Sequence, residues 1–103
     1  MIKWVAIANK PPTMSTDELK TWWLDTHAPN VKRLPGLRKY VVSLTFGAPE
    51  EVPTHDGIAE LWFDDMAALQ KAMESPEAAE GLKDLQSSKV GFTHLFTEEH
   101  AIA

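Results

Sequence analysis

The sequence predicts an α+β fold with the element order β-α-β-β-α-β, a ferredoxin-like arrangement in which one antiparallel sheet carries both helices on one face. The first observation behind this prediction is that short apolar or alternating stretches recur before, between and after two helix-like segments. The second is the length of 103 residues, which allows one hydrophobic core. We therefore treat residues 1–103 as a single domain.

The first strand is predicted by an apolar run at the start of the chain. Residues 2–8 are rich in β-branched and aromatic types, and the segment Lys10-Pro11-Pro12 ends the run. Ser15 and Glu18 then have the spacing of a capping box, in which each side chain accepts a hydrogen bond from the other residue's backbone N–H. A helix is therefore expected to begin at this point.

The first helix carries an apolar stripe that includes a histidine. Leu19, Trp23 and His27 recur every four residues and so share one face. Pro29 disfavours helical geometry at the residue before it, so we expect the helix to break near Ala28.

Two strands are expected in the middle of the chain. After a turn at Pro35-Gly36, residues 37–46 alternate in the manner of a strand. A loop rich in proline and glycine leads to residues 58–63, a short apolar run that contains Glu60. The two runs are typical of neighbouring strands joined by a long loop.

The second helix and the last strand complete the order. Asp64 and Asp65 are suited to cap a helix, and Ser75-Pro76 predicts a break followed by a new helical start. Residues 90–97 alternate again and predict the last strand. The sheet face without helices would expose apolar residues such as Val41 or Leu95, which favours a homodimer.

Composition narrows the classes of function. The chain has no cysteine, which removes disulfides, thiolate metal sites and a cysteine nucleophile. The formal net charge is -5 and the basic residues are scattered, so nucleic acid is not an expected partner. The amino terminus resembles neither a membrane span nor a leader, and we expect a cytoplasmic protein without a membrane partner. Because histidine pairs with metal-ligand spacing and a glycine-rich phosphate loop are both missing from the sequence, we expect no metal and no cofactor.

The titratable candidates for chemistry are His27 and Glu60. A histidine exchanges protons near neutral pH, although one near a helix end is also commonly held by the last carbonyls. Glu60 lies within an apolar strand, where it either orients His27 or forms a salt bridge with Arg38 or Lys39.

Aromatic side chains are the candidates for ligand contact. Tyr40 is suited to donate a hydrogen bond to a substrate oxygen, and Trp23 and Trp62 to line a pocket, although each is also a plausible core residue. Strand periodicity places Glu60 and Trp62 on one face, so we expect all these candidates around one cavity. His94 shares a face of the last strand with Phe92 and Phe96, and a buried or interfacial histidine with satisfied hydrogen bonds is favoured there over a ligand contact.

Several motifs in this chain resemble the EthD-like family of the dimeric α+β barrel superfamily. The resemblance covers nearly the whole chain and rests on Trp22-Trp23, His27-Ala28-Pro29, residues 31–40 (VKRLPGLRKY), residues 59–64 (AELWFD) and Ser75-Pro76-Glu77. It implies that two copies pair sheet to sheet and that each keeps an apolar cavity between its sheet and its helices. It also implies small phenolic, polyketide or lactone ligands and chemistry without a cofactor.

The related methylmuconolactone isomerases have an acid/base histidine that matches His27. They also use a cysteine where this chain reads Glu60-Leu61-Trp62, so the present sequence departs from their pattern. The function expected from the resemblance is cofactor-free proton transfer in an isomerase, cyclase or decarboxylase of catabolism or secondary metabolism. The alternatives are a non-catalytic ligand-binding or accessory protein and a cofactor-independent oxygenase.

Overall fold

A computed structural model of the chain describes residues 1–47 and 49–103. Four antiparallel strands form one sheet in the order β2-β3-β1-β4, and all helices pack on one of its faces. This is the predicted ferredoxin-like α+β fold. The elements in chain order are β1 (Ile2–Asn9), α1 (Thr16–Thr21), a π-helix (Trp22–His27), α2 (Ala28–Val31), β2 (Lys39–Leu44), β3 (Gly57–Phe63), α3 (Met66–Met73), α4 (Pro76–Ser88) and β4 (Gly91–Glu98).

The register of the sheet determines which residues meet the helices. On β1, Trp4 pairs with Leu61 on one side and Phe96 on the other, and Ala6 pairs with Ala59 and His94. Because paired residues point to the same face, the even-numbered residues of β1 lie under the helices together with their partners. We call this the covered face. The opposite face, which contains Val5 and its partners, is the open face.

Helix starts follow the signals in the sequence. Ser15 Oγ accepts a hydrogen bond from the Glu18 backbone N–H at 3.1 Å, and Glu18 Oε1 accepts one from the Ser15 backbone N–H at 2.9 Å. Asp65 caps α3 and Ser75 caps α4, each by accepting a hydrogen bond from the backbone N–H three residues later. The predicted capping box and the predicted break at Ser75 are therefore confirmed.

The predicted break near Ala28 is wrong, because the chain remains helical there. Residues 22–27 form a π-helix, and the Ala28 N–H donates to the Trp23 carbonyl instead of the carbonyl four residues back. Pro29 has no N–H to donate and its ring would crowd the Asp25 carbonyl in an α-helix. The wider π-turn relieves both problems, so α2 continues from the same helical path.

The core lies between the covered face and the helices. Trp23, Phe63 and Leu19 are its largest fully buried side chains. The open face retains apolar side chains, of which Leu95 is 49% exposed. None of the helices in residues 1–47 and 49–103 is long and apolar enough to cross a membrane.

Candidate functional site

A cavity of about 250 Å³ lies between the covered face and the helices. Its wall is mainly apolar, and Phe92 of β4 forms part of it. The titratable side chains that reach it are His27, Tyr40, Glu77 and His94. Its size is just below the usual range of about 300–1,000 Å³ for small-molecule sites, so the cavity suits a ligand of about one or two rings.

His27 comes from the end of the π-helix and is 7% exposed. Its ring stacks on Trp22 with centroids 5.0 Å apart and an interplanar angle of 8°. Its Nδ1 lies 3.3 Å from Asp84 Oδ2 on α4, and the same oxygen accepts a hydrogen bond from Asn30 Nδ2 at 2.8 Å. Asp84 is thus held in place by α2 while it faces the imidazole.

This environment defines the protonation of His27. Burial lowers its pKa, and the hydrogen bond and charge of Asp84 oppose that shift only in part. The ring is therefore neutral at pH 7. Because a carboxylate only accepts hydrogen bonds, the proton lies on Nδ1, which faces Asp84. The lone pair then belongs to Nε2, which has no hydrogen-bond partner within the described part of the chain.

His94 on the edge strand β4 has the opposite arrangement. Trp4 Nε1 donates a hydrogen bond of 2.8 Å to His94 Nδ1, and an indole N–H can only donate. The neutral ring must therefore carry its proton on Nε2. Burial lowers the pKa of His94, which also favours the neutral form. The ring lies nearly parallel to Phe92, with centroids 6.5 Å apart and an interplanar angle of 24°.

Trp23 and Tyr40 form another part of the cavity wall. Burial raises the pKa of the Tyr40 hydroxyl, and the nearby Trp23 indole N–H offsets part of that increase. The approach falls short of hydrogen-bond geometry, because Trp23 Nε1 is buried without a partner among the described residues. Phe92 meets Trp23 edge to face at 5.4 Å, which fixes the indole plane.

The structure brings together three of the five predicted site residues. Trp23, His27 and Tyr40 line the cavity. The expectation that Glu60 and Trp62 line it too is wrong, since the register places both on the open face, beside the partners Val5 and Lys3. The strand alternation that groups them is correct, but the face they share is the one without helices.

On the open face Glu60 accepts a hydrogen bond from Lys3 Nζ at 2.9 Å. The expected pairing with Arg38 or Lys39 is not formed, since Arg38 binds Asp64 and Lys39 lies over Trp62. Trp62 Nε1 donates to Glu99 at 3.0 Å, and Lys3 and Lys39 lie over its ring at 5.2 and 4.8 Å. These contacts are structural links between strands and the carboxyl-terminal tail.

Asp84 and the His94 arrangement are the features that sequence reasoning missed. Asp84 is 57 residues from His27 along the chain, and no local pattern indicates that their side chains meet. For His94, strand alternation in the sequence places the residue on one face with Phe92 and Phe96, but it does not reveal the hydrogen bond from Trp4 on another strand. No group of three histidine, cysteine, aspartate or glutamate side chains in residues 1–47 and 49–103 could hold a metal ion.

The fold and the apolar cavity define a class of small ferredoxin-like proteins with a site between sheet and helices. Residues 11–86 match the model of the EthD domain, and the chain belongs to the EthD family. A relative in Rhodococcus erythropolis is an uncharacterised 11.0 kDa protein of the thcB-thcC intergenic region. It is 26% identical over 77 residues, which cover 74% of this chain and 75% of the relative.

Several solved structures share this fold. An ethyl tert-butyl ether D (EthD) family protein from Bacillus halodurans has a TM-score of 0.84 and 28% identity, covering 97% of this chain and 99% of its own. A dimeric protein of unknown function and ferredoxin-like fold from Bacteroides fragilis shares the fold, with a TM-score of 0.71, 16% identity and 95% of each chain covered. SnoaB, a cofactor-independent oxygenase from Streptomyces nogalater, also shares it, with a TM-score of 0.68 and 16% identity over 98% of this chain and 95% of its own.

Proposed function

We propose that this protein catalyses cofactor-free proton transfer on a small apolar or aromatic molecule, as an isomerase, cyclase or decarboxylase does. The observation that supports this function best is the orientation of His27. The ring is buried in the cavity wall, Asp84 binds its Nδ1, and Nε2 remains without a protein partner in the described residues. An imidazole fixed in this way serves as a general base.

Asp84 replaces Glu60 as the proposed partner of His27. A carboxylate on Nδ1 fixes the tautomer and stabilises the imidazolium that forms when Nε2 takes a proton. The hydrogen bond from Asn30 to Asp84 keeps the carboxylate from rotating away. The base is ready at pH 7, because burial lowers the pKa of His27 and keeps the ring neutral.

The remaining cavity residues support a flat, largely apolar ligand. Trp23 and Phe92 offer aromatic surface, and the Tyr40 hydroxyl is a donor for a ligand oxygen. Burial raises the pKa of Tyr40, so the hydroxyl keeps its proton throughout the physiological range. Trp23 and Tyr40 are therefore proposed as ligand contacts, and Trp62 is not.

We also propose a homodimer that forms through the open face. Leu95 of β4 is half exposed there, and Ile7 of β1 and Val41 of β2 are partly exposed on the same face. Covering apolar surface yields about 25 cal/mol per Å², so a second copy of this face is a favourable partner. The cavity is on the other side of the sheet and stays open to ligand in such a dimer.

A ligand screen followed by an isotope measurement tests the proposed activity. Phenols and lactones that raise the melting temperature are incubated with the protein in D2O, and deuterium uptake is followed by mass spectrometry. We expect uptake with the wild type and a fall of about 100- to 10,000-fold in His27→Ala. His100→Ala is the control, because this exposed histidine forms its hydrogen bond with Glu98 and does not line the cavity.

Equal uptake in the wild type and in His27→Ala would contradict the proposal. Ligands that bind tightly without any enhanced exchange would instead indicate the alternative role, a ligand-binding or accessory protein.

A further inference from the structure

Two neutral histidines line the cavity, His27 buried and His94 exposed at the edge of the sheet, and their free ring nitrogens have opposite character. Asp84 leaves His27 with a lone pair on Nε2, and Trp4 leaves His94 with an N–H on Nε2. Both rings line the same cavity, and each lies near Phe92, at 6.2 Å for His27 and 6.5 Å for His94. The site thus presents a proton acceptor and a hydrogen-bond donor, both near Phe92.

We propose that the ligand is a small carbonyl compound whose oxygen accepts a hydrogen bond from His94 Nε2–H while a C–H group next to that carbonyl faces His27 Nε2. This inference rests on the proposed proton transfer and adds the substrate class to it. A base in an apolar site removes a proton from carbon effectively only where the resulting charge moves onto an oxygen that is stabilised. His94 supplies that stabilisation.

The proton transfer balances without any further reactant. The C–H bond next to the carbonyl breaks, and the proton goes to His27 Nε2. The electron pair of that bond forms a carbon–carbon double bond, and the carbonyl π pair moves onto oxygen, which strengthens its hydrogen bond with His94. Return of the proton to the same carbon gives isotope exchange, and in an unsaturated ligand return to another carbon of the conjugated system gives an isomer.

Trp4 acts on the ligand through His94 and is therefore a positioning residue. Its indole N–H occupies His94 Nδ1 at 2.8 Å and forces the proton onto Nε2. Its ring also packs against His94, with centroids 5.1 Å apart, and against Phe96 at 6.3 Å. Phenylalanine at position 4 would retain most of this packing and remove only the donor.

Paired probes separate the contribution of the oxygen from that of shape. We propose to compare binding of 2-indanone with that of indane, which has the same rings without oxygen. The wild type should bind 2-indanone about three- to tenfold more tightly, the value of one net hydrogen bond. This preference should disappear in His94→Phe and persist in His100→Ala. Equal binding of the two probes by the wild type, or binding of neither at millimolar concentration, would overturn the inference.

Nitrogen-15 NMR reports which ring nitrogen of His94 carries the proton, a quantity that would not depend on Trp4 if Trp4 only contributed packing. We expect a protonated Nε2 and an unprotonated Nδ1 for His94 in the wild type, with the Nε2 signal shifted by 2-indanone but not by indane. In Trp4→Phe the two nitrogens should move toward averaged positions. A protonated Nδ1 on His94 in the wild type would overturn the assignment.

The two proposals fail in distinguishable ways. If 2-indanone binds with the expected preference but exchanges deuterium equally in wild type and His27→Ala, the carbonyl site stands and the proton-transfer function fails. If deuterium exchange requires His27 but proceeds at the wild-type rate in His94→Phe, the function stands and the role of His94 fails. Where both hold, we expect exchange to fall by about 100-fold in His94→Phe.

Discussion

The six-membered ring of Trp23 packs so closely on Gly57 that a Cβ added to this glycine would lie 2.6 Å from Trp23 Cζ3. Gly57 begins β3 and is buried, so the absence of a side chain there creates the space that the indole occupies. The position of Trp23, and with it one wall of the cavity, therefore depends on a residue in a distant strand.

The first prediction concerns this contact. Gly57→Ala should destabilise the protein by about 1–3 kcal/mol, because the new methyl group meets both Trp23 and the Ser43 carbonyl oxygen at 2.9 Å. Urea unfolding monitored by tryptophan fluorescence measures the loss. Gly81→Ala is the matched control, since its Cβ would lie 3.7 Å from His27 Cε1, an ordinary contact, and alanine favours a helix. Unchanged stability in Gly57→Ala would show that Trp23 is free to shift.

The second prediction concerns the ionisation of His27. An NMR titration should give His27 a pKa below 6.5, because burial outweighs the attraction of Asp84. Asp84→Asn should lower the pKa further, since it removes the group that raises it. Glu80→Gln, an exposed change on the same helix that affects a pair with Lys83, should leave the titration unaltered. A His27 pKa that rises in Asp84→Asn would refute the assigned interaction.

The third prediction is a loss of stability on mild acidification. His27 and His94 have pKa values lowered by burial, so the unfolded chain binds more protons than the folded one as the pH falls through 6.5. The free energy of unfolding should be greatest above pH 6.5 and decrease until the pH is below the folded-state pKa values. Carboxyl groups with lowered pKa values, such as Asp64 and Glu99, act at lower pH.

Urea unfolding at pH 7.5 and 5.5 measures this difference. His27→Gln removes one of the two titrations and should reduce the change between the two pH values, whereas His100→Ala should not. A protein equally stable at both pH values would contradict the burial of neutral imidazole.

The fold could be predicted because its signals are local. Capping side chains such as Ser15 and Asp65 act within three residues, and strand alternation is visible in any short window. The predicted helix break near Ala28 was wrong, because the chemistry of proline alone does not reveal that a π-turn before Pro29 lets the chain remain helical. The local rule identified the conflict but not the way in which the helix resolves it.

The site could be predicted only in part because it depends on long-range packing. His27 and Trp23 lie on a helix whose apolar stripe must face the core, so their place in the cavity wall follows from the pattern. For Glu60 and Trp62 the pattern gives two faces and no means to choose, and a shift of one residue reverses the answer. Asp84 reaches His27 only through the packing of α4 on the π-helix, which sequence spacing does not encode.

The last prediction tests the proposed dimer. Leu95→Lys places a charge on the open face, where Leu95 of the edge strand β4 is 49% exposed and pairs with buried Val5. If a second copy covers this face, the charge loses its water on association, and the variant should sediment as a monomer at micromolar concentration while the wild type sediments as a dimer. Leu24→Lys is the matched control, because Leu24 is 44% exposed on the helical side of the molecule and should leave the dimer intact. Circular dichroism confirms that both variants keep the fold. A wild type that is monomeric under these conditions, or a Leu95→Lys variant that stays dimeric, would show that the open face is not the interface.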